Sequence, residues 1–212
     1  MTQRLALTFE AGGDPAVCGQ MLDVLRSAGV PATIFLAGNW SEQYPDLVRR
    51  MADEGHEFGN HSYSHNDMTQ SSDADVREEL RRTDAIIQQM TGQRTFPWFR
   101  PPYDAIDERV RQVALSEGYR LIQRSAFDGG HYPGETTPEL VVSRSIENAY
   151  ESAVLTYHLD SLKTLAVLPS LAGIGLGTLL SAYVHTQAYQ LGYRWAIHAL
   201  MHVNNRSRRI SA

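Results

Sequence analysis

Cysteine is almost absent: Cys18 is the single thiol in 212 residues, so no intrachain disulfide can form. Stability must then come from a packed core or a metal, and the compartment is left open. A basic surplus is missing as well, since 19 Lys and Arg stand against 24 Asp and Glu for a formal charge of -5. A chain of this balance has nothing to set against a phosphate backbone, and no nucleic-acid partner is expected. Long apolar runs are also lacking. Residues 164–193 carry no Asp, Glu, Lys or Arg, but Pro169, Gly173, Gly175, Gly177 and Gly192 interrupt them, and the densest part, 171–184, is fourteen residues. That length favours a buried helix over a membrane span. The first apolar run, 5–9, is too brief for the core of a signal peptide and no small-residue cleavage site follows it, so no export signal is read. With 42% hydrophobic and 20% charged residues the composition is that of an ordinary globular protein, which excludes disorder, collagen and coiled coil.

What is present is an alternation of short β-rich runs with helical patterns. Strands are expected at 5–9, 32–36, 57–59, 98–99, 119–123, 153–157 and 193–198. Between them, Val17, Met21, Val24 and Leu25 share a helical face closed by Gly29; Leu47, Val48 and Met51 follow Pro45 and end at Gly55. Ser72 is placed to cap a long helix bearing Val76, Leu80, Ile87 and Met90, and 106–117, 137–148 and 162–190 read as further helices. Seven strands alternating with six helices imply parallel pairing through helical crossovers, hence an α/β sheet or barrel. A single domain over 1–203 with a polar tail at 204–212 is the expected organisation.

The polar residues most suggestive of chemistry follow predicted strands: Glu10, His61 with His65, Arg100, Asp128 and His158. In parallel α/β folds the ligand site lies at the C-terminal strand ends, so these segments are expected to converge. His61 and His65 are four apart in GNHSYSHNDM, and a helical turn there would aim both imidazoles at one cation. Two imidazoles suit zinc, cobalt or nickel, and a catalytic site wants a third protein ligand besides. Glu10 and Asp14 in LTFEAGGDP are the carboxylates at hand, although Asp14 before Pro15 is equally an N-cap. Arg100 in WFRPPYDA precedes two prolines, which stiffen the segment and suit a guanidinium that must orient a carboxylate. His158 ends the run AVLTYH, where an imidazole can serve as general acid.

Together these segments resemble the polysaccharide deacetylase family, the carbohydrate esterases with a NodB homology domain. LTFEAGG resembles the family's TFDDG segment, HSYSH its HSxxH metal segment and FRPPY its arginine segment, while FDGGHY stands at the DxxDW segment and LTYH at LxH; the likeness runs over residues 5–169. The resemblance implies an incomplete or distorted (β/α) barrel of about seven parallel strands. It also implies a divalent metal, zinc first, on His61 and His65, with Asp14 as the remaining candidate ligand, Glu10 as base, His158 as acid and Arg100 with Asp128 tuning them. Pro101 and Tyr103 of the same segment would meet substrate, an N-acetylated oligosaccharide or polysaccharide such as chitin or peptidoglycan. Three segments depart from the pattern. Ala11 replaces a metal-binding Asp, Glu10 the aspartate base, His131 and Tyr132 the Asp and Trp of the fourth segment, and Thr156 the leucine of the fifth. Metal-dependent hydrolysis of N-acetyl groups is the activity implied; the alternatives are an impaired, glycan-binding member and an amidase of a small non-sugar substrate.

Overall fold

In the computed structural model of the chain the structure describes residues 5–29, 31–123, 126–127 and 153–159. The helices expected at 137–148 and 162–190, the strand at 193–198 and the tail lie outside them. Contacts divide the chain into two units, Met1–Thr33 with Arg124–Ala212, and Ile34–Gln123.

The first unit is built on β1 (Leu5–Ala11), β6 (Ala126–Phe127) and β7 (Ala153–His158). β7 pairs in parallel with both, matching Leu5 to Ala153 through Glu10 to His158 on one side and Phe127 to Thr156 on the other. The register is fixed internally. The Thr8 hydroxyl donates to the Leu155 carbonyl at 3.0 Å and lies 3.0 Å from the Thr156 hydroxyl, so the buried polar groups of this ladder satisfy one another. After β1 the chain makes a 3-10 turn at Pro15–Val17 before α1 (Cys18–Ala28), where the sequence suggests one continuous helix. α1 buries Cys18, Met21, Leu22 and Leu25 and leaves Val24 half-exposed, so its apolar stripe is rotated from the expected one. Gly29 closes it with φ 65°, a left-handed turn that glycine adopts without strain.

The second unit carries β2 (Thr33–Leu36), α2 (Gly38–Gln43), α3 (Pro45–Asp53), β3 (Glu57–Asn60), α4 (Asp73–Thr91), β4 (Trp98–Phe99), α5 (Glu108–Ser116) and β5 (Arg120–Leu121). Its strands run in the order β5-β4-β3-β2, with β3–β4 and β4–β5 parallel. Ser72 caps α4, as the sequence predicts, and does so in a reciprocal capping box with Asp75; Gly92 closes that helix in the left-handed region. Val76 and Leu80 of α4, Val110, Val113 and Ala114 of α5, and Phe99 and Tyr119 form one buried cluster with Met68. Burying each large apolar side chain of such a cluster contributes roughly 1.5–3 kcal/mol. Among the described residues no helix is long and apolar enough to cross a membrane.

The expected class, α/β with parallel strands and helical crossovers in the manner of an incomplete (β/α) barrel, is borne out. Two elements were not legible. α2 holds Gly38, Asn39 and Ser41, poor helix formers, and β6 is only two residues long.

Candidate active site

In the second unit the site grows from two neighbouring strand ends. Asn60 closes β3 opposite Phe99 of β4, so His61 and Arg100 leave the sheet side by side. The Arg100 N–H donates to the Asn60 carbonyl at 3.0 Å, and the Arg100 carbonyl lies 2.8 Å from Nδ1 of His61. A carbonyl only accepts, so Nδ1 of His61 carries a proton, and in the neutral ring Nε2 then has the lone pair. That is the tautomer a histidine needs to hold a divalent cation through Nε2, fixed by a backbone carbonyl behind it. The Arg100 side chain is fully buried, its guanidinium 4.1 Å from the Phe35 ring centroid and its Nε donating to the Ile122 carbonyl at 3.2 Å. The stiff mount expected from Pro101 and Pro102 is thus completed by packing.

His65 reaches His61 by a different route from the helical turn considered for HSYSH. Ser62 and His65 both have left-handed φ, 61° and 57°, and the loop folds back so that the two rings meet edge to face, 4.9 Å between centroids. The Ser62 N–H donates to Oδ1 of Asn60 at 3.0 Å and the His65 N–H to Oγ of Ser62 at 3.0 Å. Tyr103 also packs edge to face with His65, its ring 4.9 Å away and its hydroxyl 3.2 Å from Nδ1 of His65. Tyr103 is 69% exposed and Pro101 is buried, so of the two expected substrate contacts the tyrosine is the accessible one. Ser62, His65, Tyr103 and Asp104 are the non-glycine residues with positive φ among the described residues. Such conformations cost of order 1–3 kcal/mol each and persist where the surrounding structure over-determines them. All four belong to the two segments that carry the candidate site.

Asn60 ties this edge to the core. Its Nδ2 donates to the Leu80 carbonyl at 2.8 Å and lies 3.1 Å from the Tyr119 hydroxyl, which is 3.0 Å from Oγ1 of Thr95; Asp84 in turn accepts from Thr95. Burial pushes the Tyr119 hydroxyl up to about 12 from its usual 10.0. A proton held more tightly in the folded state gives stability that is full below pH 10.0 and is lost as pH rises toward about 12. Denaturation midpoints should therefore fall across that window, and in Tyr119→Phe the slope should flatten; equal slopes in the two proteins would remove Tyr119 as its source.

In the first unit β1 and β7 bring Glu10 and His158 together. They are register partners, both under 9% exposed, with Nε2 of His158 3.3 Å from Oε2 of Glu10. The Leu159 N–H donates to the Glu10 carbonyl at 2.9 Å, which continues the ladder one residue past the pair. Ala11, next to Glu10, is fully buried. Asp14 is exposed and caps the turn that follows, accepting from the Ala16 N–H at 3.0 Å, the helix-start role open to it from sequence. Among the described residues no group of three His, Cys, Asp or Glu side chains is placed to hold a metal ion. Asp128, His131 and Tyr132 lie outside the described residues.

Parallel strands joined by helices define an α/β protein, with His61 and Arg100 at strand ends in one unit and Glu10 and His158 in the other. The sequence pattern of the polysaccharide deacetylase family matches residues 2–122, and the chain belongs to that family. It is 30% identical over 154 residues to the peptidoglycan-N-acetylglucosamine deacetylase of Bacillus cereus, covering 73% of this chain and 55% of that protein. Over 124 residues it is 38% identical to the peptidoglycan-N-acetylglucosamine deacetylase PgdA of Listeria monocytogenes, covering 58% of this chain and 26% of that one. The chain thus spans about half or less of the length of these relatives. A family 4 carbohydrate esterase from Streptomyces lividans, solved in complex with acetate, superposes with TM-score 0.71 at 30% identity, covering 82% of this chain and 90% of that one. The fold is shared as well by a family 4 pseudoenzyme from Bacillus anthracis, TM-score 0.75 at 22% identity over 88% of this chain and 62% of that one.

Proposed function

We propose that the protein is a metal-dependent hydrolase that removes N-acetyl groups from an amino-sugar polymer of the peptidoglycan or chitin type. The observation that carries this reading is the HSYSH turn: two imidazoles with rings 4.9 Å apart, one locked by the Arg100 carbonyl in the ligating tautomer. Two imidazoles suit a borderline cation, zinc before cobalt or nickel, which His61 and His65 would hold; Asp14, the third ligand expected from sequence, caps the turn after β1 instead. Bound there, such a cation supplies a Lewis acid for the acetyl carbonyl. The names of the relatives support the substrate class, because the Bacillus cereus and Listeria proteins are peptidoglycan deacetylases.

The chain's own residues supply the proton transfers. Glu10 takes the proton of the attacking water and His158 returns one to the leaving amine. By the family resemblance, Arg100 and Asp128 would tune that pair. Tyr103, exposed beside His65, meets the sugar, and Pro101 holds its segment.

Ala11 favours a second reading, an impaired member that binds glycans, since a methyl group stands where the family has a metal-binding carboxylate. The test is acetate release from N-acetylated oligosaccharides and from peptidoglycan, with and without added zinc, in the natural protein and in Ala11→Asp. Ala11→Asp should tighten zinc binding under a competing chelator, and adding Glu10→Asp should raise the rate. Zinc-independent silence of the natural protein together with glycan retention would establish the second reading. Unchanged zinc affinity in Ala11→Asp would mean that another carboxylate already completes the site.

A further inference from the structure

The HSYSH turn is held from outside by one side chain that the reading above does not use. Glu79, on α4, points its carboxylate into the loop: Oε2 accepts from the Tyr63 N–H at 2.8 Å and from the Ser64 N–H at 2.7 Å, and Oε1 accepts from the Ser64 hydroxyl at 2.9 Å. Consecutive backbone N–H groups following a left-handed residue form a concave anion site, here closed by the protein's own carboxylate. The opposite side of the loop is fixed by its carbonyls. Ser62 and Tyr63 accept from the N–H groups of Gly38 and Asn39 at 2.9 Å each, at the start of α2. Gly38 is required for that approach, because a Cβ there would lie 2.6 Å from the Tyr63 ring and 2.8 Å from Oγ1 of Thr83. The Tyr63 hydroxyl donates to Glu42 at 2.7 Å and accepts from Arg82, whose guanidinium lies 3.5 Å from the ring centroid. The backbone from His61 to His65 is therefore clamped between α2 and α4, and the α4 side of the clamp on its N–H groups is Glu79.

We infer that Glu79 is a positioning residue: it holds the loop in the left-handed conformation that brings the His61 and His65 rings together, and so sets the affinity of the pair for a divalent cation. The consequence for metal rests on the reading proposed above; the ring contact does not. Removing a partner bonded directly to a metal ligand typically weakens binding 10- to 100-fold; Glu79 acts one step further out, through Tyr63 and Ser64, so about 10-fold is the loss expected for zinc in Glu79→Ala. Glu79→Gln keeps one oxygen for the two N–H groups and should recover most of the affinity.

The experiment compares the natural protein, Glu79→Ala, Glu79→Gln and Ser64→Ala in three readouts: amide exchange at Tyr63 and Ser64, the nuclear Overhauser contact between the His61 and His65 rings without metal, and zinc affinity under a competing chelator. Expected in Glu79→Ala are faster exchange at both amides, loss of the ring contact and the drop in zinc affinity, with Glu79→Gln close to the natural protein. Should Glu79→Ala fail to fold, Ser64→Ala, which removes one of the three bonds, must show the same changes in smaller measure. An intact ring contact and unchanged zinc affinity in Glu79→Ala, whatever its melting temperature, would overturn the inference. If the natural protein binds no zinc, the metal reading fails, and the ring contact alone then decides the role of Glu79.

Discussion

Replacing His61 by alanine should leave a protein that retains no stoichiometric zinc. His61 and His65 are the imidazoles that the HSYSH turn brings together, and His61 is the one held by a backbone carbonyl, that of Arg100, 2.8 Å from its Nδ1. The substitution acts twice. It leaves that carbonyl without its imidazole donor, which costs about 1–3 kcal/mol with or without metal. It also removes a ligand, and that loss shows only when zinc is present. With free zinc near 100 times Kd, the natural protein should gain about 2.7 kcal/mol of stability and His61→Ala almost none. The comparison of melting curves with zinc and with chelator separates the two effects. If His61→Ala keeps a full equivalent of zinc and melts as the natural protein does in both conditions, His61 is no ligand.

The histidine pair shows where sequence reasoning reached and where it stopped. Spacing alone brought His61 and His65 to notice, and parallel strands placed His61 beside Arg100, because a residue after a strand end follows from the strand. The route by which the rings meet was not legible. It depends on left-handed φ at Ser62 and His65, which neither residue type announces, and on hydrogen bonds to Asn60 and Glu79 from other elements. Glu79 left only a faint trace, an acidic residue at the edge of the buried α4 stripe of Val76, Leu80, Thr83 and Ile87. Asp14 went the other way, since Asp before Pro15 has a local meaning and the structure shows that cap. The likeness to the family is similarly graded. The matched region, 2–122, contains the histidine and arginine segments, while the altered fourth and fifth segments fall after it. Glu10 and His158 belong to strands 147 and 148 residues apart at the Thr8 contacts, so their meeting follows from sheet order and not from any local pattern.

That meeting shapes the second large effect expected. His158→Ala should lower kcat by roughly 10²- to 10⁴-fold and change KM little, the mark of an interaction made in the transition state. Glu10→Gln should do much the same, because it removes the carboxylate that serves as base. The two residues are not independent. Their side chains are 3.3 Å apart, both buried, on strands whose register pairs them residue for residue, so each loses its partner when the other is replaced. Two groups in contact show interaction energies of 0.5–3 kcal/mol in a double-mutant cycle, against near additivity for distant ones. The double variant should therefore fall short of the product of the two single losses by roughly 2- to 150-fold, the coupling expressed as a rate. Steady-state kinetics of acetate release from an N-acetylated oligosaccharide in the four proteins reads this directly. Losses that multiply would mean that Glu10 and His158 act in separate steps without support from each other, and a His158→Ala protein as fast as the natural one would remove His158 from the reaction.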